Sequence, residues 1–350
     1  MEAKSGDKIP DAVRIPHAAP AVFGTLVEVA PGILWAQLPL PYQPGSVNTY
    51  LIADGDGWCA VDAGLNDDET KAVWERIADA LPGRRKISSV LITHWHSDHS
   101  GAAGWLCERF AAPLMMSEAE YLKTMSLEFF PRTAAGEVER RFYRSHGLDP
   151  ETTEEWVRSG HHYLYMTAPL PHVYRRLVAG SDLVIGARSF RVRTVPGHSP
   201  EEIMLRAADG DVYLCADQLG PKIAPNIAVQ SNDPLGDPLA HYLRSLDDIA
   251  LDRPDPALML PGHEQPFFGF AVRSAELRSY YARRAAIVEA ACAEAPRTAL
   301  ELVGHLFRKP PGPVWIGFVI SEAVTYANNL VNHNRLVRAT EGGTVCFARP

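Results

Sequence analysis

At 350 residues and 46% hydrophobic content the chain is long enough to bury a large core, and that length predicts two domains or one elaborated domain. A formal net charge of −8 with no dense Lys/Arg run argues against a polyanion as its general partner. Met1 to Pro20 has no apolar h-region and no run approaches the roughly 18 apolar residues of a membrane span, so a cytoplasmic protein without a membrane partner is expected.

Residues 32–38 and 47–53 alternate or run apolar as strands do. Asp54-Gly55-Asp56-Gly57, before Trp58-Cys59-Ala60-Val61, is a hairpin signal, so the chain opens as an antiparallel meander. Asp62-Ala63-Gly64 closes its third strand, and from the residues alone Asp62 reads equally as a helix cap. Residues 68–81 carry helical spacing at Ala72, Val73, Ile77, Ala80 and Leu81, with Pro82-Gly83 as the stop. A buried strand over 87–93 and a helix over 101–110 follow, which is the α/β order of two packed sheets with helices outside.

Between that strand and that helix lies Thr93-His94-Trp95-His96-Ser97-Asp98-His99-Ser100-Gly101. Imidazole nitrogen and carboxylate oxygen are ligands that zinc accepts, and a turn leaving a strand can aim alternate side chains at one point. The bland alternative is a solvated loop rich in histidine. With this H-x-H-x-D-H motif the sequence resembles the metallo-β-lactamase superfamily, from about Gly32 to His263. The resemblance implies an αββα sandwich, and it implies that Asp62 sits beneath the metals as a hydrogen-bond partner of the site without being a ligand.

Residues 117–174 change character. Helices are predicted over 118–127, 134–146 and 152–160, and Phe129, Phe130, Tyr143, Tyr163, Tyr165, Met166 and Tyr174 make the segment unusually aromatic. Such an insertion is either a helical packing layer or a roof that gives the site an apolar wall. His146, His161, His162 and His172 have no second partner at ligand spacing and read as surface or pocket histidines.

Strands resume over 182–185 and 190–195 and deliver Pro196-Gly197-His198-Ser199-Pro200-Glu201. Where many relatives place a second histidine after the proline, Glu201-Glu202 stands here, and both are read as outside the metal shell. The strand 211–216 ends in Asp217, and Leu258-Met259-Leu260-Pro261-Gly262-His263 repeats the strand, Gly, His device. The resemblance implies His94, His96 and His198 on one metal, Asp98, His99 and His263 on the other, and Asp217 shared. Seven ligands leave an open position on each ion, as a catalytic site requires. Five cysteines, Cys59, Cys107, Cys215, Cys292 and Cys346, lack C-x-x-C spacing and fit reduced thiols. Cys215, two residues before Asp217, reads as a packing thiol.

From Ala271 onward helices are predicted over 274–294, 298–307 and 314–332, with a breaker at Pro310-Pro311-Gly312-Pro313 and a hairpin of 336–340 with 344–348. This order resembles a small winged-helix-like appendage, such as ends some superfamily members similar to lactamase-β-like and glyoxalase II-like proteins. The expected division is a catalytic domain over 1–270 and an appended domain over 271–350. The latter holds ten Lys/Arg against six Asp/Glu, a net of +4 on a body of −12. That charge could dock a phosphate backbone, a second subunit in a homodimer, or the core itself. Asn328, Asn329, Asn332, Asn334 and Arg335 would face outward on a recognition helix or form a solvated helix end.

Two divalent ions lower the pKa of a shared water and polarise the electrophile, so the expected reaction is hydrolysis, with Asp98 placed to receive a proton. Zinc is the expected metal because residue 96 is His, where flavodiiron relatives carry Glu; iron or manganese also suits the donors. Asp217 differs from the Cys or Ser of true β-lactamases. A small-molecule ester, acyl thioester or lactone is the favoured substrate, and a nucleic-acid phosphodiester is the alternative.

Overall fold

The structure is a computed structural model that describes residues 12–84, 86–129, 132–159, 162–252, 254–308, 312 and 315–350. Residues 1–11, Phe130, His161 and the prolines 310, 311 and 313 of the expected breaker lie outside them, as do the side chains of Phe129 and His162.

Two sheets stack face to face. The first contains β1 (Val27–Ala30), β2 (Ile33–Pro39), β3 (Ser46–Asp54), β4 (Gly57–Val61), β5 (Lys86–Leu91), β6 (Leu114–Met116) and β7 (Tyr174–Arg176), side by side in that order. Its first four strands pair antiparallel, including the predicted hairpin with Asp54 opposite Gly57. From β4 onward the pairing is parallel, so each later strand needs a crossover. Helix α1 (Asp68–Ala80) makes the first of these. Asp67 caps it by accepting from the Thr70 N–H, and Val73, Trp74 and Ile77 face the sheet. One turn, α2 (Ser97–Ser100), and α3 (Ala103–Phe110) make the second.

The third crossover is the insertion, built of α4 (Glu118–Phe129), α5 (Arg132–Ser145), α6 (Pro150–Ser159) and α7 (His162–Tyr165). Its rings mostly serve packing: Tyr121 stacks on Tyr174 at 3.8 Å, and Phe142, Tyr143 and Trp156 are buried.

The second sheet has the order β12-β11-β10-β9-β8, from β8 (Asp182–Ile185), β9 (Arg188–Val195), β10 (Glu202–Ala207), β11 (Val212–Ala216) and β12 (Leu258–Pro261). Helix α8 (Pro238–Leu251) carries the chain from β11 to its parallel neighbour β12. Trp35, Ile52 and Val61 of the first sheet interleave with Phe190, Leu205 and Leu214 of the second. Outside the first sheet, α1 and α3 close a second cluster with Trp74, Ile77 and Leu106. The result is the expected αββα sandwich.

The chain ends with α9 (Phe270–Glu294), α10 (Ala299–Leu306), α11 (Ile316–Asn332) and the hairpin of β13 (Val337–Glu341) and β14 (Thr344–Ala348). These cover the outer face of the second sheet: Tyr213, Cys215, Tyr242, Tyr281, Val324 and Phe347 share one core with Tyr143 and Trp156 of the insertion. Cys215 is fully buried in that core, so the thiol packs as expected. Helix α11 does not present a free polar face. Asn328 is buried and donates to the Pro234 and Gly236 carbonyls, while Asn329 and Asn332 donate to Asp237, which corrects the outward placement of Asn328; Asn332, Asn334 and Arg335 are exposed. Among the described residues no helix is long and apolar enough to cross a membrane.

Candidate metal centre

Every predicted ligand follows directly on a strand end at one edge of the sandwich. His94, His96, Asp98 and His99 come after β5, His198 after β9, Asp217 after β11 and His263 after β12. β5, β9 and β11 are held by a strand on each side and β12 by β11, which fixes their last Cα atoms, so the residues beyond them converge without long side chains having to be ordered. All seven meet there. Donor atoms of His94, His96 and His198 lie within 4.8 Å of one another, as do those of Asp98, His99 and His263, and those of His94, His99 and Asp217. The first three residues are called the first trio below, and Asp98, His99 and His263 the second.

Asp217 stands between the trios. Its Oδ2 is 3.4 Å from His198 Nε2 and 3.4 Å from His263 Nε2, and its Oδ1 is 3.3 Å from His99 Nε2. Asp98 Oδ2 lies 3.4 Å from His263 Nε2. Asp217 can pack so closely because residue 262 is glycine: a Cβ there would sit 2.2 Å from Asp217 Oδ1 and 2.7 Å from the His99 ring. Gly197, at φ +134, likewise turns the chain against Tyr242 and leads into His198.

The outward ring nitrogens of four of the five histidines are engaged. His99 Nδ1 meets Asp62 at 2.8 Å, His94 Nδ1 meets the Thr93 hydroxyl at 3.0 Å, and His198 and His263 Nδ1 meet the Asn226 and Ser46 carbonyls at 3.0 and 2.9 Å. A partner on Nδ1 fixes each ring's rotation and turns its Nε2 inward, as metal-binding histidines require. His96 alone turns Nδ1 toward the centre, 2.9 Å from His94 Nε2. Asp62 also accepts from the Thr93 N–H at 2.8 Å, so the aspartate is a brace of the loop and not a helix cap.

The atoms left over fit a cation. His99 Nε2, His198 Nε2 and Asp217 Oδ1 are buried and make no hydrogen bond, a condition that buried polar atoms seldom tolerate without a ligand. Burial, together with His198, pushes His96 down to about 3, keeping its lone pair available. Burial opposes charge on His263, yet Asp217 and Asp98 raise it to about 10. Burial raises Asp98 and Asp217, but the imidazoles around them outweigh it and hold both below the usual carboxylate range. Three carboxylates and five imidazoles in one cluster, with backbone strain at Asp62 (φ 63), Ala216 (φ 41) and Glu264 (φ 65) beside them, make a preorganised nitrogen and oxygen donor set for divalent metal.

Two supports are absent from the expectations. Glu202, read above as outside the metal shell, is in none of the donor groups, but its Oε1 accepts the Asp217 and Gln218 N–H groups at 2.6 and 2.9 Å and so fixes the carboxylate between the trios. Glu120, in the insertion, reaches the loops of the first trio. Neither has a local signal: a glutamate opening a strand or a helix reads as a surface residue. Of the insertion residues expected at the site, Tyr163 reaches it through a 2.6 Å hydrogen bond to the Trp95 carbonyl, whereas Tyr165 is 71% exposed. His146 is buried against Phe142 and Phe347, and His172 is exposed, so neither joins the cluster.

An αββα sandwich with a histidine and aspartate cluster at one strand edge defines a metallo-hydrolase class. Residues 42–263 match the Metallo-beta-lactamase superfamily, and the chain belongs to it. Residues 285–350 match the Metallo-beta-lactamase-like, C-terminal domain family. A β-lactamase domain protein of known structure from Burkholderia ambifaria is 34% identical, with a TM-score of 0.86 over 97% of each chain. The probable metallo-hydrolase YqjP of Bacillus subtilis (strain 168) is 26% identical over 332 residues, 90% of this chain and 97% of that one. An atrochrysone carboxyl ACP thioesterase of Aspergillus fumigatus is 35% identical over 74 residues, 21% of this chain and 22% of that one. The protein is thus a metal-dependent hydrolase with a divalent-metal site.

Proposed function

We propose that the protein is a dinuclear hydrolase of small-molecule esters, with an acyl thioester as the leading substrate class and zinc as the leading metal. In this reading His94, His96 and His198 hold one ion, Asp98, His99 and His263 the other, and Asp217 touches both. The observation that carries it is the position of Asp217, whose two oxygens lie 3.3–3.4 Å from donor atoms of both trios. Divalent ions bound there would supply Lewis acidity and an activated water. Asp98, only partly buried and with its Oδ2 3.4 Å from His263 Nε2, is the group assigned to receive the proton.

The acyl assignment is supported by aromatic rings near the donor cluster. Trp95, between His94 and His96, lies 5.5 Å from Tyr163, and Tyr42, whose hydroxyl feels the charge of Asp98, meets Trp315 edge-on at 6.2 Å. Aromatic walls suit an apolar acyl chain. The partial likeness to a fungal acyl-carrier-protein thioesterase points the same way.

The second reading, a nucleic-acid phosphodiesterase, draws on the +4 of residues 271–350. Five of the segment's ten Lys/Arg are paired within the chain, Arg273, Arg284, Arg297 and Arg335 with Glu276, Glu322, Glu294 and Glu289, acids already counted in the +4, and Arg278 with Asp247 of the body. The test is metal analysis followed by a substrate panel. About two ions per chain and hydrolysis of thioesters or lactones are expected, with oligonucleotides neither cleaved nor bound at physiological salt. Metal-dependent oligonucleotide cleavage that disappears in His96→Ala would install the second reading instead.

A further inference from the structure

We infer that Glu120 is a positioning residue that ties together the two loops carrying the first trio, so that this half of the metal site depends on the helical insertion. The inference rests on the ligand assignment proposed above. Glu120 is fully buried at the start of α4. Its Oε2 accepts the Trp95 N–H at 3.0 Å, between His94 and His96. Its Oε1 accepts the Ser199 hydroxyl at 2.7 Å and the Glu201 N–H at 2.6 Å, just past His198. One carboxylate therefore spans two chain segments about a hundred residues apart and satisfies donors on both.

Burying a carboxylate is unfavourable unless several donors meet it, and a helix of this length needs no buried acid to fold. What the acid achieves is register between the His94–His96 turn and the His198 turn. The insertion holds Trp95 in further ways. Tyr163 donates to the Trp95 carbonyl at 2.6 Å, and the Lys123 ammonium lies 5.1 Å over the indole. Both backbone groups of the residue between two first-trio histidines are thus fixed by insertion side chains.

The second trio is held differently. His99 rests on Asp62 at the end of β4, and His263 rests on the Ser46 carbonyl at the start of β3. Both of these partners belong to the first sheet or the turn leaving it, and not to the insertion. A defect at Glu120 should therefore release one ion ahead of the other, whereas a general loss of fold would release both together.

The experiment compares wild type with Glu120→Gln, which keeps the size but sets an NH2 against a donor on one side. In the metal-free proteins, amide hydrogen exchange at Trp95 and Glu201 should quicken by roughly 10-fold or more in the variant, with Thr93, held by Asp62, unchanged. In zinc-loaded proteins, chelator titration should show one of two ions held roughly 10- to 100-fold more weakly and the other as in wild type. Ser199→Ala, which removes a single donor and keeps the acid, should shift the same ion by less. It carries the test if Glu120→Gln does not fold. Unchanged exchange at Trp95 and Glu201, or equal weakening of both ions, would overturn the inference while leaving the ligand assignment in place. A wild-type protein that takes up no ion would overturn both.

Discussion

The two trios use the same chemistry on different foundations. The second is braced from inside the sandwich, where Asp62, at the end of β4, holds both His99 and the Thr93 backbone. The first shares that brace through the Thr93 hydroxyl on His94 and is braced in addition from outside the sandwich, by Glu120 and Tyr163 of an insertion that packs in turn on the C-terminal helices through Trp156 and Phe318, whose rings are 5.3 Å apart. A strand end is rigid because both neighbours hold it. A helical insertion is only as rigid as the layer on which it leans. The difference teaches that equal ligands need not be equally secure, and that the C-terminal layer can bear on the site without contributing a ligand.

The largest effect should come from removing what the trios share. Asp217→Ala should lower turnover by roughly 1,000-fold, the scale of several kcal/mol of lost ion and charge stabilisation, while thermal unfolding of the metal-free protein stays cooperative. Steady-state kinetics with metal analysis decides this, and turnover near wild type would take Asp217 out of the site.

The seam under the insertion should titrate. Burial lowers His146 to about 4, against an ordinary value near 6.5 in the unfolded chain. The unfolded state therefore binds the extra proton between those values. The stabilisation is complete above about pH 6.5 and is lost as pH falls toward 4, by up to about 3 kcal/mol. Denaturant titrations of the metal-free protein at several pH values, with His146→Leu as the reference, isolate this histidine. Parallel pH profiles for the two proteins would show that it does not titrate in that window.

Asp62→Asn should mirror the Glu120 experiment. It should weaken the second-trio ion by roughly 10- to 100-fold and the first-trio ion by less, because Asp62 meets His99 directly but reaches His94 only through the Thr93 hydroxyl. Competition with a chelator whose colour reports free zinc measures both ions, and loss of the first-trio ion instead would reverse the comparison. Gly317→Ala should act on the seam alone, because a Cβ there would lie 2.1 Å from the Trp156 indole. Forced repacking costs about 1–3 kcal/mol, read as a lower denaturation midpoint, and an unshifted midpoint would mean that Trp156 moves aside freely. The smallest effect is expected at Trp315, whose ring meets Tyr42. Trp315→Ala should raise KM for long acyl substrates by roughly 2- to 10-fold and leave short ones alike, the scale of one lost ring contact. Equal effects at every chain length would make Trp315 a packing residue only.

Much of this molecule was legible in advance. The hairpin at Asp54-Gly57, helix α1, the insertion helices and the C-terminal order of helices and hairpin fall within a few residues of their predicted bounds. Strands β6, β7, β1 and β10 and helices α7 and α8 were not predicted. The first two are three residues long, too short to show a period, and β10 opens on Glu202 and includes Arg206, which break the apolar run. The polar residues near the end of α11 looked like an exposed face because nothing in their spacing shows that Pro234, Gly236 and Asp237 lie against them.

What the sequence determined by itself is the candidate ligand set and its framework. Strand, turn and ligand lie within a few residues of each other, and the chemistry of His94, His96, Asp98 and His99 is written in one loop. What only the tertiary structure decided is what holds that set in place. The Glu120 carboxylate bridges 25 residues to Trp95 and 81 to Glu201, and Glu202 bridges 15 to Asp217. A buried glutamate and a solvated one have the same local pattern. Which of them a residue becomes is settled by the donors that distant segments bring to it, and those contacts exist only once both sheets and the insertion have closed around the site.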